Sequence, residues 1–501
     1  MSRYTSRRVF LGGLLSGSLS GLAGVAMGEA PSVSLRPQLR PDGSRKKTAT
    51  GVETLIREAN LSGRVGCAVV DVKSGRVLEG VEAQSGHPPA SVTKAVTALY
   101  ALDALGADYR FETRLMAVGP VEDGVLQGDL VLVGGGDPTL DTDGLAEMAT
   151  QLKQAGVESV KGRFLVYGGA LPFTRAVDED QPEQVGYNPS VSGINLNFNR
   201  VHFEWKRGSD GYDVTMEART GKYRPKVTAA RMQVVDRKGP VYTYTDGGSH
   251  DSWSVARKFL GKNGARWLPV RKPESYAAEV FGTLARSEGL ALGLAEVVSE
   301  VPAGGRVLVT RRSDPLNEIL RDMLKYSTNL TAEVVGQAAT KKRKGEVQSI
   351  RSSAREMSHW AREVLGMKGA RLVDHSGLGS MSRLSPEAMA RGLAMVHRQG
   401  ELKPILKPVA LKDANGRKNK NHPVKVTAKT GTLYFVSGLA GYMTAADGTE
   451  MAFAIFAADK KRRDELPKKL GDRPPGARGW NSRAKRLQQK LIERWNTVYG
   501  S

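Results

Sequence analysis

Pro88-Pro89-Ala90-Ser91-Val92-Thr93-Lys94 is the stretch that decides how the rest of the chain is read. The two prolines break the chain, and an apolar run from Val92 to Leu105 then predicts a helix. Ser91 opens that helix. Lys94, three residues on, shares its face and reaches the serine oxygen. A serine hydroxyl is a poor nucleophile until a base takes its proton. A lysine serves as that base only where desolvation or cationic neighbours disfavour its charge. The helix N-terminus adds positive potential where negative charge would develop. Taken alone, the pair reads equally as an N-cap and a solvated helix residue. The same S-x-x-K spacing recurs at Ser44 to Lys47 and at Ser482 to Lys485, but without a breaker followed by an apolar helix.

Two further motifs change the weighting. Ser327-Thr328-Asn329 follows a helical run that begins near Asp314-Pro315, a cap followed by proline at the first helical position. Lys429-Thr430-Gly431, with Thr432 beside it, lies in the strand-like run Val424–Thr432. S-x-x-K, S-x-N and K-T-G in this order form the signature set of penicillin-binding proteins and β-lactamases. Thr328 stands where the set often has aspartate. Ser327 and Asn329 read either as a capping pair or as a proton relay and a donor to the substrate amide. Gly431 permits close approach of a substrate backbone, and Lys429, Thr430 and Thr432 suit a terminal carboxylate.

Outward from these motifs the texture divides. A hairpin is predicted from Val65–Val72 and Arg76–Gly80, with Cys67, the single cysteine, as a buried structural thiol. Val424–Thr432, Gly438–Thr444 and Met451–Ala458 read as adjacent antiparallel strands. A closing helix carries Trp480, Ala484, Leu487, Leu491 and Trp495 on one face. Between about 107 and 305 short β-like runs alternate with glycine turns, with a helix-like patch at Leu145–Ala155. The expected organisation is a signal at 1–30, a linker at 31–50, a discontinuous catalytic domain at 51–106 and 306–501, and an inserted accessory region at 107–305.

The three motifs and this layout together resemble a class C low-molecular-mass penicillin-binding protein, a D-alanyl-D-alanine carboxypeptidase/endopeptidase. Gly134-Gly135-Gly136-Asp137-Pro138, Tyr187-Asn188-Pro189, Asn195-Leu196-Asn197 and Asp374-His375-Ser376-Gly377-Leu378 are similar to further segments of that family. So is the long gap of 236 positions from Ser91 to Ser327. The resemblance implies an α+β fold: a transpeptidase/β-lactamase-like domain, helices around an antiparallel sheet, with inserted β-rich accessory domains. It implies an acyl-enzyme on Ser91, an oxyanion hole from the Ser91 and Thr432 N–H groups, peptidoglycan peptides as substrates, β-lactams as inhibitors, and no cofactor or metal. Asp137 matches a contact for the amino end of a diamino-acid stem, and reads equally as a glycine-turn aspartate.

Ser6-Arg7-Arg8-Val9-Phe10-Leu11 and the Gly- and Leu-rich run behind it resemble a twin-arginine signal, which implies export to the periplasm and no stable membrane insertion afterwards. An uncleaved anchor is the alternative. Net charge is +22, or +20 without residues 1–30, which carry Arg3, Arg7, Arg8 and Glu29. That field suits an acidic wall or anionic membrane surface, or serves solubility alone. Export and the lack of any nucleic-acid-binding signature argue against nucleic acid. No H-E-x-x-H, nucleophile elbow or dinucleotide fingerprint is present. The competing readings are a β-lactamase and a non-catalytic peptidoglycan-binding protein. Oligomeric state stays open.

Overall fold

The computed structural model describes residues 49–413, 415–419, 421–467 and 474–500. The export segment expected at 1–30 lies outside them, as does all but the end of the linker. The described residues belong to one compact unit, Lys47–Ser501.

The strand Glu450–Ala458 organises the catalytic end of the molecule. Its sequence is almost wholly apolar, so both faces need cover. The period of two supplies it. Ala452, Ala454 and Phe456 face a helical cluster, while Met451, Phe453, Ile455 and Ala457 face the terminal helix. Arg64–Asp71 divides in the same way, with Ala68 and Val70 on the first side and Cys67 and Val69 on the second. Together they form an antiparallel five-stranded sheet in the order Lys425–Leu433, Val436–Thr444, Glu450–Ala458, Arg64–Asp71, Val77–Val81. Strands from both ends of the described chain therefore complete one sheet. The fold is α+β, helices around an antiparallel sheet.

The terminal helix Ala477–Tyr499 buries the expected stripe of Trp480, Ala484, Leu487, Leu491 and Trp495 against the second face. Each indole finds an acceptor: Trp480 Nε1 donates to Ser62 O at 3.1 Å and Trp495 Nε1 to Glu79 Oε2 at 2.9 Å. Packing with the polar end satisfied is what makes a buried tryptophan stabilising. On the first face pack the helices Thr93–Leu105, Leu316–Tyr326, Asn329–Lys344, Ile350–Val364 and Pro386–Val396. Among the described residues no helix is long and apolar enough to cross a membrane.

The middle of the chain builds a second mixed sheet in the order Ala295–Val298, Phe164–Tyr167, Asp129–Gly134, Glu112–Val118, Arg306–Arg312. Two helices cover it, Thr142–Gln154 and Pro273–Ser287. The first was expected; the second was not, although Pro273 at its first turn is a recognisable start. The strand Arg306–Arg312 hydrogen-bonds to Glu112–Val118, so it extends the middle sheet past residue 305. Three three-stranded sheets complete this region, two centred on Arg200–Arg207 and Asp251–Ala256 and a short one of Val121–Glu122, Val125–Leu126 and Ser159–Val160.

One expected cap is absent. The helix Leu316–Tyr326 starts after Pro315 with no side-chain cap. Its first N–H groups, on Leu316 and Asn317, donate instead to Tyr109 O and Ala107 O, at 2.8 and 3.0 Å. With those donors satisfied by main chain, Asp314 has nothing to cap.

Candidate active site

Ser91 sits in the single 3₁₀ turn Ala90–Val92, just ahead of the helix Thr93–Leu105. Two glycines let other segments close on it. A Cβ at Gly377, where φ is +76°, would lie 1.8 Å from Ala90 O. A Cβ at Gly431 would lie 2.8 Å from Pro89 O and 3.1 Å from Ser91 N. Any larger residue would push the loop or the edge strand off the Ser91 turn.

Lys94 is 0% exposed. Its Nζ lies 3.2 Å from Ser91 Oγ, 2.6 Å from Asn329 Oδ1 and 2.7 Å from Ser376 O. A neutral lysine has two N–H donors and one lone pair. Two of these three oxygens accept only, which leaves the lone pair for the Ser91 hydroxyl. Burial pushes the lysine down to about 8, against the opposing pull of Glu333 and Asp374.

Lys429, 1% exposed, reaches in from the edge strand. Its Nζ donates to Ser327 Oγ at 3.0 Å and to Thr430 O at 2.7 Å. Burial lowers it to about 6, with the positive charges of Lys94 and Lys407 adding to the shift. Ser327 holds a left-handed conformation, φ 61°, at the end of Leu316–Tyr326, and its N–H donates to Met323 O at 2.8 Å. Such strain in a non-glycine residue needs support from its surroundings. The next helix is capped at Thr328 with no side-chain bond. So neither Ser327 nor Asn329 is the N-cap of that helix; their side chains turn to the two lysines. Asn329 Nδ2 also donates to Tyr187 O at 2.8 Å.

Thr430 and Thr432 are exposed on the edge strand, and Gly431 is buried against Pro89 and Ser91. A cleft of about 970 Å³ opens over the serine. Ser91, Ser327, Asn329 and Thr432 line its floor; Asp178, Tyr187, Arg266 and Arg463 line its walls. Burial lowers Arg463, against the charges of Asp178 and Asp464.

Asp137 does not join this group. It is buried in the middle region, where it accepts from Thr139 N, Thr139 Oγ1 and Arg311 Nη1 at 2.8, 2.7 and 2.9 Å. The glycine-turn reading is the one the geometry matches: the carboxylate closes its own turn two residues on and pairs inward.

Glu333 was not singled out along the sequence, and Asp374 had no role assigned there. Both lie buried beside Lys94. Glu333 accepts the N–H groups of His375 and Ser376 at 3.1 and 2.9 Å; Asp374 accepts those of Gly377 and Gly379 at 2.7 and 2.6 Å. Burial raises both carboxyls. They fold the loop that delivers the Ser376 carbonyl to Lys94. A glutamate inside Leu330-Thr331-Ala332-Glu333-Val334-Val335 is the signal that could have found the first of them.

Residues 48–470 match the D-Ala-D-Ala carboxypeptidase 3 (S13) family. A D-alanyl-D-alanine carboxypeptidase DacB from Haemophilus influenzae is 24% identical over 432 residues, covering 81% of this chain and 87% of the relative. The crystal structure of penicillin binding protein 4 (dacB) from H. influenzae superposes with a TM-score of 0.70 at 20% identity, covering 88% of this chain and 99% of that one. A second structure of that protein, complexed with a β-lactam, gives 0.68 at 21% identity over the same shares.

Proposed function

From the premise that the chain belongs to the D-Ala-D-Ala carboxypeptidase 3 (S13) family, among the class C low-molecular-mass penicillin-binding proteins, we propose that it is a periplasmic serine hydrolase of peptidoglycan stem peptides. It cuts the D-alanyl-D-alanine bond, and the equivalent bond in cross-links, through an acyl-enzyme on Ser91. The observation that carries this reading is the Lys94 amine, fully buried, with its third contact on the Ser91 hydroxyl at 3.2 Å.

In the first half-reaction Ser91 Oγ bonds to the carbonyl carbon as its proton passes to Lys94 Nζ. The N–H groups of Ser91 and Thr432 take up the negative charge on the oxygen. The C–N bond to the terminal D-alanine then breaks. The leaving nitrogen takes up the proton that Lys94 received, relayed through Ser327, which stands beside Lys429 and is reprotonated as it donates. Lys429, Thr430 and Thr432 hold the terminal carboxylate, and Asn329 holds the substrate amide. Water resolves the ester by the reverse proton path. A carboxylate near Lys429 restores its positive charge, so substrate completes the electrostatics of the site.

A β-lactam reacts at the same serine. The H. influenzae protein complexed with one supports that reading. The middle region, 107–312, acts as an accessory insertion that supplies one wall of the cleft. Export through the twin-arginine segment Ser6–Leu11 brings the enzyme to its substrate.

The test is mass spectrometry of purified muropeptides incubated with wild type and with Ser91→Ala. Loss of D-alanine from pentapeptides, or conversion of dimers to monomers, by wild type alone is the expected result and identifies the bond. No change from a folded wild type would leave a wall-binding protein. Fast turnover of a fluorescent penicillin with intact muropeptides would leave a β-lactamase.

A further inference from the structure

Between Thr174 and Val191 the middle region makes a loop with closed ends. Those two residues exchange both main-chain hydrogen bonds, each 2.8 Å. Compact loops of this kind are held by what fills them. Here the filling is one guanidinium. Arg271, 4% exposed, donates from Nη1 to Arg175 O at 2.7 Å and Asn188 O at 2.8 Å, and from Nη2 to Glu183 O at 3.0 Å. Three carbonyls spread along the loop thus converge on a single planar fork. Arg271 is itself anchored: its N–H donates to Asp251 Oδ2 at 2.8 Å, and Tyr244 OH donates to Asp251 Oδ1 at 3.0 Å. Within the loop the Asn188 side chain pins Asp178 through two bonds of 3.0 and 2.8 Å.

The loop ends at the reaction centre. Tyr187 O, next to Asn188, accepts from Asn329 Nδ2, whose Oδ1 accepts from Lys94 Nζ. An amide has one accepting and one donating end. Holding the donating end on Tyr187 O turns the accepting end to Lys94. We propose that Arg271 is a positioning residue for the reaction at Ser91: it sets the Arg175–Asn188 loop so that the Tyr187 carbonyl fixes the orientation of the Asn329 amide. This rests on the reading of Ser91 and Lys94 given above. The groups facing Lys94 are Glu333 from its helix, Asp374 from its loop and Lys429 from the edge strand. None of them belongs to the Arg175–Asn188 loop, but Asp178 of that loop bears on Asp374, so the loop acts on Lys94 directly through Asn329 and at one remove through Asp374.

The experiment measures acylation of the full-length protein by a fluorescent penicillin from pH 5 to 9, for wild type, Arg271→Gln and Asn188→Ala. Releasing the loop misplaces Asn329, and acylation slows about tenfold to a hundredfold. Lys94 also loses an acceptor that favours its ammonium form. Its proton therefore leaves more readily, and the acid limb of the profile moves to lower pH. A defect of folding alone would lower the active fraction without moving that limb. If Arg271→Gln does not fold, Asn188→Ala decides, since it removes the two bonds to Asp178 that shape the stretch Arg271 grips and so loosens the segment carrying the Tyr187 carbonyl. Wild-type rates and an unmoved limb in the folded variants would overturn the proposal. A wild type that is not acylated at all would overturn the reading of Ser91, and this proposal with it.

Discussion

Buried charge is used in opposite ways in the two halves of the molecule. In the middle region Asp137 meets Arg311 directly at 2.9 Å. Around Ser91 the charges never touch one another in this manner. Lys94 donates to an amide oxygen and a carbonyl, while Glu333 and Asp374 accept main-chain N–H groups, Glu333 with the Ser376 side chain as well. Direct pairing with Arg311 opposes the upward push of burial on Asp137 and serves structure. Burial among neutral dipoles leaves an ion underpaid, so it gives up its charge near neutral pH. The first arrangement makes a fixed turn, and the second suits the base proposed for Ser91.

The contrast can be broken most severely at Lys94. Lys94→Ala is expected to slow acylation by penicillin by about 10²–10⁴-fold, the usual worth of a general base. A rate close to wild type would move the base elsewhere.

The pH profile of the wild type sharpens the same point. Lys94 is lowered to about 8, so its base form is the minor one at pH 6 and becomes the major one above 8. Acylation should therefore fall about tenfold per pH unit below that value. A flat profile between pH 6 and 8, measured on folded protein, would mean that Lys94 is not the group that titrates.

The smallest effect on activity belongs to the directly paired side. Asp137→Ala should leave acylation within about twofold of wild type. It should cost about 1–3 kcal/mol in urea unfolding, because the Thr139 N–H and Arg311 lose their acceptor. A large change in acylation with unchanged stability would return Asp137 to the reaction.

Much of this was readable along the chain. Ser91 and Lys94 are three residues apart on one helix, so local geometry alone brings them together. The strands Lys425–Leu433, Val436–Thr444 and Glu450–Ala458 were visible as apolar runs between turns, and the terminal helix by its stripe. The helix Pro273–Ser287 was hidden in a region that otherwise reads as β. Glu333 was hidden because a single charge in an apolar helix carries no periodic signal. Asp137 was ambiguous: its neighbours Gly136 and Pro138 mark a turn, and a turn aspartate looks the same whether it faces a ligand or its own backbone.

The sequence by itself determined the reactive types: a serine and lysine on one helical face, a serine–asparagine pair between helices, and a lysine two residues before a glycine on a strand. Those follow from short-range spacing and side-chain chemistry. Only the tertiary structure decided that both lysines are buried, that Glu333 and Asp374 stand beside one of them, and that Arg271 reaches the Asn329 amide through a loop. Burial is a property of all the segments that surround a group. The Tyr187–Asn329 bond joins positions 142 residues apart, a separation at which no local rule operates and only the packed chain brings the two together.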